Sequence, residues 1–157
     1  MANVAKQNQT NRFRASEKTA IQKMTITIGV AILVVGFGGV LMPHLFGMHL
    51  SFLHNLVHLM TGFFAVWFGA SRPSRAYNFT LIMGTVYALV GILGFIFGRP
   101  GYPTTGSLDA DQNLVRLIPD FLELGTIDHI VHILIGTFML FTCYTFREDK
   151  NYKSKNG

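Results

Sequence analysis

The sequence predicts an all-α integral membrane protein: a four-transmembrane-helix bundle built from two parallel-repeated helical hairpins. Three observations carry that expectation. Half of the 157 residues are hydrophobic, 13% are charged and the mean hydropathy is +0.37. Four apolar stretches, about 25–42, 50–70, 77–97 and 126–146, approach the roughly 20 residues that a helix rising ~1.5 Å per residue needs to cross a ~30 Å hydrocarbon layer. Finally, the polar pattern of one span returns on another. His54-Asn-Leu-Val-His58-Leu-Met-Thr-Gly62 is matched by Asp128-His-Ile-Val-His132-Ile-Leu-Ile-Gly136, with His58 on His132, Gly62 on Gly136 and His54 on Asp128.

Helices are preferred to strands because each span then satisfies its own backbone hydrogen bonds in lipid. Residues 1–20 are polar and read as a flexible cytoplasmic tail. The first span follows a charged leader that ends at Lys23, which is long for a signal peptide, and no small-x-small cleavage site follows it. A short outside connection, Pro43–His49, leads to the second span, where Ser51 suits a helix cap. Ser71–Ala76 forms the inside connection to the third span. The loop from Arg99 to Gly125 is longer; in its second half, Asp109–Leu124, acids alternate with apolar residues. That stretch is expected to form a short amphipathic helix or turn at the interface, interrupted at Pro119. The transmembrane domain then spans 21–147, followed by a cytoplasmic tail, 148–157.

Small residues on one helix face let backbones approach closely in lipid. Gly84, Gly91 and Gly98 recur every seven residues on the third span, and Gly62 and Gly136 occupy equivalent positions on the second and fourth. These five glycines are expected to be helix-packing sites. Val35-Gly-Phe-Gly-Gly-Val-Leu on the first span resembles Val90-Gly-Ile-Leu-Gly-Phe-Ile on the third. Each is followed by an outside loop and a histidine-bearing span, so the repeat is parallel rather than inverted.

Charge sets the expected orientation. Lys6, Arg12, Arg14, Lys18, Lys23, Arg72, Arg75, Arg147, Lys150, Lys153 and Lys155 account for eleven of the thirteen basic residues, and all fall on one side of a four-crossing chain. The positive-inside rule places that side, with both termini, in the cytoplasm of a bacterial inner membrane. The net charge of +5 is therefore a topology signal, with the lipid bilayer as partner. No basic patch with base-stacking aromatics points to nucleic acid. A homo-oligomer or an accessory role in a larger membrane complex is left open by the sequence. The lone Cys143 excludes an internal disulfide and is read as a packing residue.

The strings Val90-Gly-Ile-Leu-Gly-Phe, Leu53-His-Asn-Leu-Val-His-Leu and Asp128-x-x-x-His132-x-x-x-Gly136 resemble the motifs of a bacterial membrane-protein family known as domain of unknown function 4383. The resemblance covers about residues 29–140. It implies a four-helix membrane fold and no stated activity, and it carries over His54, Asn55, His58, Asp128 and His132 as motif positions. His129 stands where that pattern leads one to expect asparagine.

Independently of the resemblance, His54 and His58 are one helical turn apart on one face, as are Asp128 and His132. If the two spans meet, these side chains converge, with Asn55 beside them. Ionisable groups within a bilayer segment usually face a partner or a cavity. One reading is a structural polar core, in which Asp128 accepts a hydrogen bond from a histidine. A second is a transition-metal site formed by His54, His58, Asp128 and His132, or a b-type haem held between His58 and His132, with Gly62 and Gly136 leaving room for the macrocycle. A third is proton or small-solute handling. An enzyme is not expected, since no nucleophile has a base and an orienting partner.

Overall fold

The computed structural model describes residues 18–104 and 109–151. Four helices dominate it: α1 (Ala20–Leu41), α2 (Phe52–Ala70), α3 (Pro73–Phe97) and α4 (Thr126–Thr145). They contain 22, 19, 25 and 20 residues, and all four are long and apolar enough to cross a membrane. Their large exposed residues, such as Phe37, Phe63, Ile82 and Leu134, point outward, whereas the interior holds histidine, threonine and asparagine.

The helix ends follow local chemistry. α1 starts about five residues before its expected position and takes in Gln22 and Lys23. The Gln22 side chain accepts a hydrogen bond from Thr19 N–H at 3.2 Å, and the Asp149 carboxylate accepts from Ile21 N–H at 3.1 Å. Orphan donors and the positive end of the helix dipole are satisfied together. Gln22 also donates to the carbonyls of Gly69 and Ser71, so it ties the start of α1 to the end of α2. α1 stops just before Pro43, which cannot continue a helix. The expected inside loop Ser71–Ala76 shrinks to Ser71 and Arg72, because Pro73 sits in the first turn of α3, where its missing N–H costs nothing. At the other end of the chain, Arg147–Asn151 forms a 3-10 turn where a tail was expected, and Asp149 of that turn caps α1. Most of the two expected tails (1–17 and 152–157) lies outside the described residues, as do Lys6, Arg12, Arg14, Lys153 and Lys155.

Of the short amphipathic helix or turn expected at Asp109–Leu124, the turn forms at Pro119, and the segments on either side of it join a small antiparallel sheet. Strands β1 (Arg99–Gly101), β2 (Asp111–Ile118) and β3 (Leu122–Leu124) pair in that order. Arg99 lies opposite Leu114, Arg116 opposite Glu123 and Ile118 opposite Leu122. Pro119 is the reason: it forbids a continuous helix and presets the first corner of a turn. Asp120 takes the second corner at φ 68°, and Phe121 N–H closes the turn on the Ile118 carbonyl at 3.1 Å. The sheet covers one end of the bundle, hereafter the strand end. Buried Glu123 ties this segment together: its carboxylate lies 3.2 Å from Arg116 Nε and accepts from Thr104 N–H at 2.8 Å.

The tightest helix contacts run through glycine. A Cβ at Gly62 would sit 2.8 Å from the Gly29 carbonyl of α1, and one at Gly84 would sit 3.2 Å from the Gly136 carbonyl of α4. Gly91 similarly faces the backbone of α4 at Ile133, and Gly136 faces α3 at Ala88. α1 thus packs closely on α2, and α3 on α4. Gly98 departs from its expected role: it makes room for the Asn113 carbonyl of β2, not for another helix.

Candidate metal centre

Two turns of α2 and one of α4 deliver three imidazoles to a single point. His54, His58 and His132 are all buried, and one ring nitrogen from each lies within 4.8 Å of the others. The ring centroids of His54 and His58 are 4.4 Å apart, those of His54 and His132 5.7 Å, and those of His58 and His132 6.0 Å. The four-residue spacing puts His54 and His58 on one face of α2. The expectation that α2 and α4 meet at His58 and His132 is met by side chains: the rings bridge a gap between two backbones that are not themselves closely packed.

Backbone carbonyls orient two of the rings. His54 Nδ1 lies 2.9 Å from the His49 carbonyl oxygen, and His132 Nδ1 lies 2.6 Å from that of Asp128. A carbonyl only accepts, so each Nδ1 carries a proton, and in the neutral ring it is Nε2 that offers the lone pair. His54 Nε2 and His58 Nδ1 have no hydrogen-bond partner. Fixing one ring nitrogen against a backbone carbonyl and leaving the other free is how metal-binding histidines are usually held. A tetrahedral zinc site with Zn–N of ~2.0–2.1 Å has its nitrogens about 3.3 Å apart. The three nitrogens, all within 4.8 Å of one another, stand up to about 1.5 Å wider than that spacing.

Asp128 and Asn55 do not join the cluster. Asp128 Oδ2 accepts from Gly125 N–H at 2.7 Å and from His49 N–H at 3.0 Å. As the third residue of α4 it satisfies the helix start, and its own dipole interaction favours that position. No imidazole donates to it, contrary to the expected pairing with a histidine. Asn55 donates to the Leu50 carbonyl at 2.8 Å and lies against Gly39 of α1. Gly62 and Gly136 are filled by α1 and α3, so the room envisaged for a haem is already occupied by helix backbone.

Several residues of this region carried no expected role at the site. His49 is buried between the site and the sheet: its ring Nε2 lies 3.2 Å from Asp111 Oδ2, while its main chain holds both His54 and Asp128. Burial raises the Asp111 carboxyl, but hydrogen bonds from the Thr126 hydroxyl, the N–H groups of Asn113 and Thr126, and His49 outweigh it and hold the group below its ordinary value. Ser51 receives Glu123 N–H at 3.4 Å and so anchors β3 instead of acting as a side-chain cap. His129 has its Nε2 2.8 Å from the Asn113 carbonyl, and its ring packs on Gly94. Tyr87 of α3 closes one side of the cluster, its ring 5.1 Å from that of His132. The one-turn spacing that picked out His54, His58, Asp128 and His132 does not reach these, and several of their partners are distant in the chain, from 16 residues for His129 and Asn113 to 79 for His49 and Asp128.

No family model, curated protein or solved structure matches the chain.

Proposed function

We propose that this chain is a multi-pass membrane protein that binds a transition-metal ion through His54, His58 and His132. One observation carries the reading: three buried imidazoles converge within 4.8 Å without an acid among them, and His54 Nε2 and His58 Nδ1 are left unpartnered. Left unpaired in an apolar interior those nitrogens are costly, and a metal ion would supply the partner that the three converging rings lack. Imidazole suits zinc, copper, nickel or iron. Three neutral ligands plus an open position describe a site that can exchange or activate a further ligand.

The two-hairpin repeat supports the same plan. Adding 55 to α1 numbers and 74 to α2 numbers carries the first hairpin onto the second. Gly29 on Gly62 then corresponds to Gly84 on Gly136, and Gly39 on Asn55 corresponds to Gly94 on His129. Thr25 and Thr80, equivalent under this relation, share a hydrogen bond at 2.8 Å, just as the equivalent His58 and His132 face each other. The fourth member of the symmetric set is Asp128, which is turned away to cap α4. In this reading the basic flanks hold both termini in the bacterial cytoplasm, and the metal lies toward the outer side.

The test is metal analysis of protein purified from membranes under mild conditions. One equivalent of a transition metal without a Soret band, lost in His58→Ala and His132→Ala, is the expected outcome. Metal content equal in wild type and both variants would overturn the reading; a Soret band would replace it with haem.

A further inference from the structure

Close packing within each hairpin leaves two looser seams between them, and each opens a cavity beside the histidines. Between α1 and α4 lies one of about 230 Å³, reaching His58, His132, Tyr87 and Met48. Between α2 and α3 lies another of about 150 Å³, reaching His54, His132 and Tyr87. The second is roofed by Leu117, Leu122 and Leu124 of the sheet, whereas no strand lines the first. Apart from the imidazoles and Tyr87, the α1–α4 cleft is walled almost entirely by hydrocarbon, including Ile32, Val35, Val131 and Phe138.

Resting on the metal reading above, we infer that the α1–α4 cleft admits a neutral, single-ring phenol or quinol from the bilayer, whose oxygen occupies the open metal position. Four features select this class. An apolar cavity of ~150 Å³ accommodates benzene, so about 230 Å³ suits a ring with short substituents. Tyr87, Phe138, His58 and His132 offer aromatic faces and edges to a flat ligand. Away from the imidazoles, Tyr87 and Thr27 the walls are hydrocarbon, so a charge carried on the part of the ligand remote from the metal would lose its hydration without compensation. And with Asp128 committed to Gly125 and His49, the histidine set leaves the metal one ligand short.

Cobalt(II) loaded into the full-length protein in lipid nanodiscs gives a direct readout, because its visible bands respond to a fourth ligand. The probe is 4-propylphenol, and 4-hydroxybenzenesulfonate is the charged control. The expected result is a saturable band change with the first and none with the second. Val131→Phe and, from the opposite wall, Val35→Phe should weaken the response about tenfold or more by overfilling the cleft, at unchanged cobalt stoichiometry. A loaded protein that ignores 4-propylphenol, answers both probes alike, or is indifferent to both variants overturns this inference alone. A protein that takes up no cobalt overturns the metal reading itself.

Discussion

The carbonyl oxygen of His49 accepts the Nδ1 proton of His54 at 2.9 Å, while the N–H of the same His49 donates to Asp128 Oδ2 at 3.0 Å. One loop residue therefore sets a ring on α2 and the first turn of α4. Since the Asp128 carbonyl in turn orients His132, the imidazoles of two helices are aligned through a single connection. The site's geometry is a property of the strand end as a unit.

Metal should stabilise the fold only through that geometry. At free metal about 100 times the dissociation constant, binding adds roughly 2.7 kcal/mol to the native state. Thermal unfolding in detergent should shift upward with added zinc in the wild type and stay in place in His132→Ala. A shift of equal size in the variant would place the bound metal elsewhere.

Removing the Asp128 side chain should hurt more than neutralising it. Asp128→Asn keeps a carbonyl oxygen for Gly125 N–H and His49 N–H, whereas Asp128→Ala leaves both donors buried and unpaired. An unsatisfied buried donor costs about 1–3 kcal/mol. Circular dichroism melts should rank wild type, Asn and Ala in descending stability; an Ala variant as stable as Asn would mean that water reaches those donors.

Asp111 should make stability depend on pH. Its folded carboxyl is held below the ordinary range, so the native state favours the carboxylate. That contribution is present above the unfolded value of about 4 and is lost as pH falls through the folded one. Wild type and Asp111→Asn should differ most near neutrality and converge in acid. Parallel melting-temperature profiles for the two proteins down to acid pH would contradict the assignment.

Glycine positions should separate by what faces them. At Gly62 a Cβ meets the Gly29 carbonyl at 2.8 Å and Leu33 N at 2.9 Å, backbone atoms that cannot yield. At Gly36 it meets the Leu59 side chain at 3.0 Å and His58 Cβ at 3.2 Å, and the leucine tip can rotate. Gly62→Ala is expected to cost about 1–3 kcal/mol or more, and Gly36→Ala clearly less. Equal melting temperatures for the two variants would remove the close α1–α2 contact as the cause.

Orientation is testable in intact cells. In a Cys143→Ser background, a membrane-impermeant maleimide should label Thr104→Cys at the strand end and spare Ser74→Cys at the start of α3. The reverse pattern would invert the proposed topology.

The sequence by itself determined the four helices and their pairing chemistry. Apolar length, prolines near the span ends and the glycine heptads are local signals, and a helix satisfies its own backbone wherever it lies. The convergence of His58 and His132 was also legible, because a repeated polar face has to find its equivalent or meet lipid. What only the tertiary structure decided was the choice among competing partners. Asp128 could face a histidine ring or the N–H groups of its own helix start. The second won because the Gly125 N–H is left without a helical partner at the start of α4, and the His49 N–H of the loop before α2 reaches the same carboxylate oxygen. Asp109–Leu124 could be a helix or a turn; Pro119 ruled out the continuous helix, and the pairing of Arg116 with Glu123 across the turn belongs to the tertiary structure. His49 gave no signal in isolation, since its role lies in main-chain atoms that every residue possesses. Its importance comes from position, and position is set by the packing of distant segments.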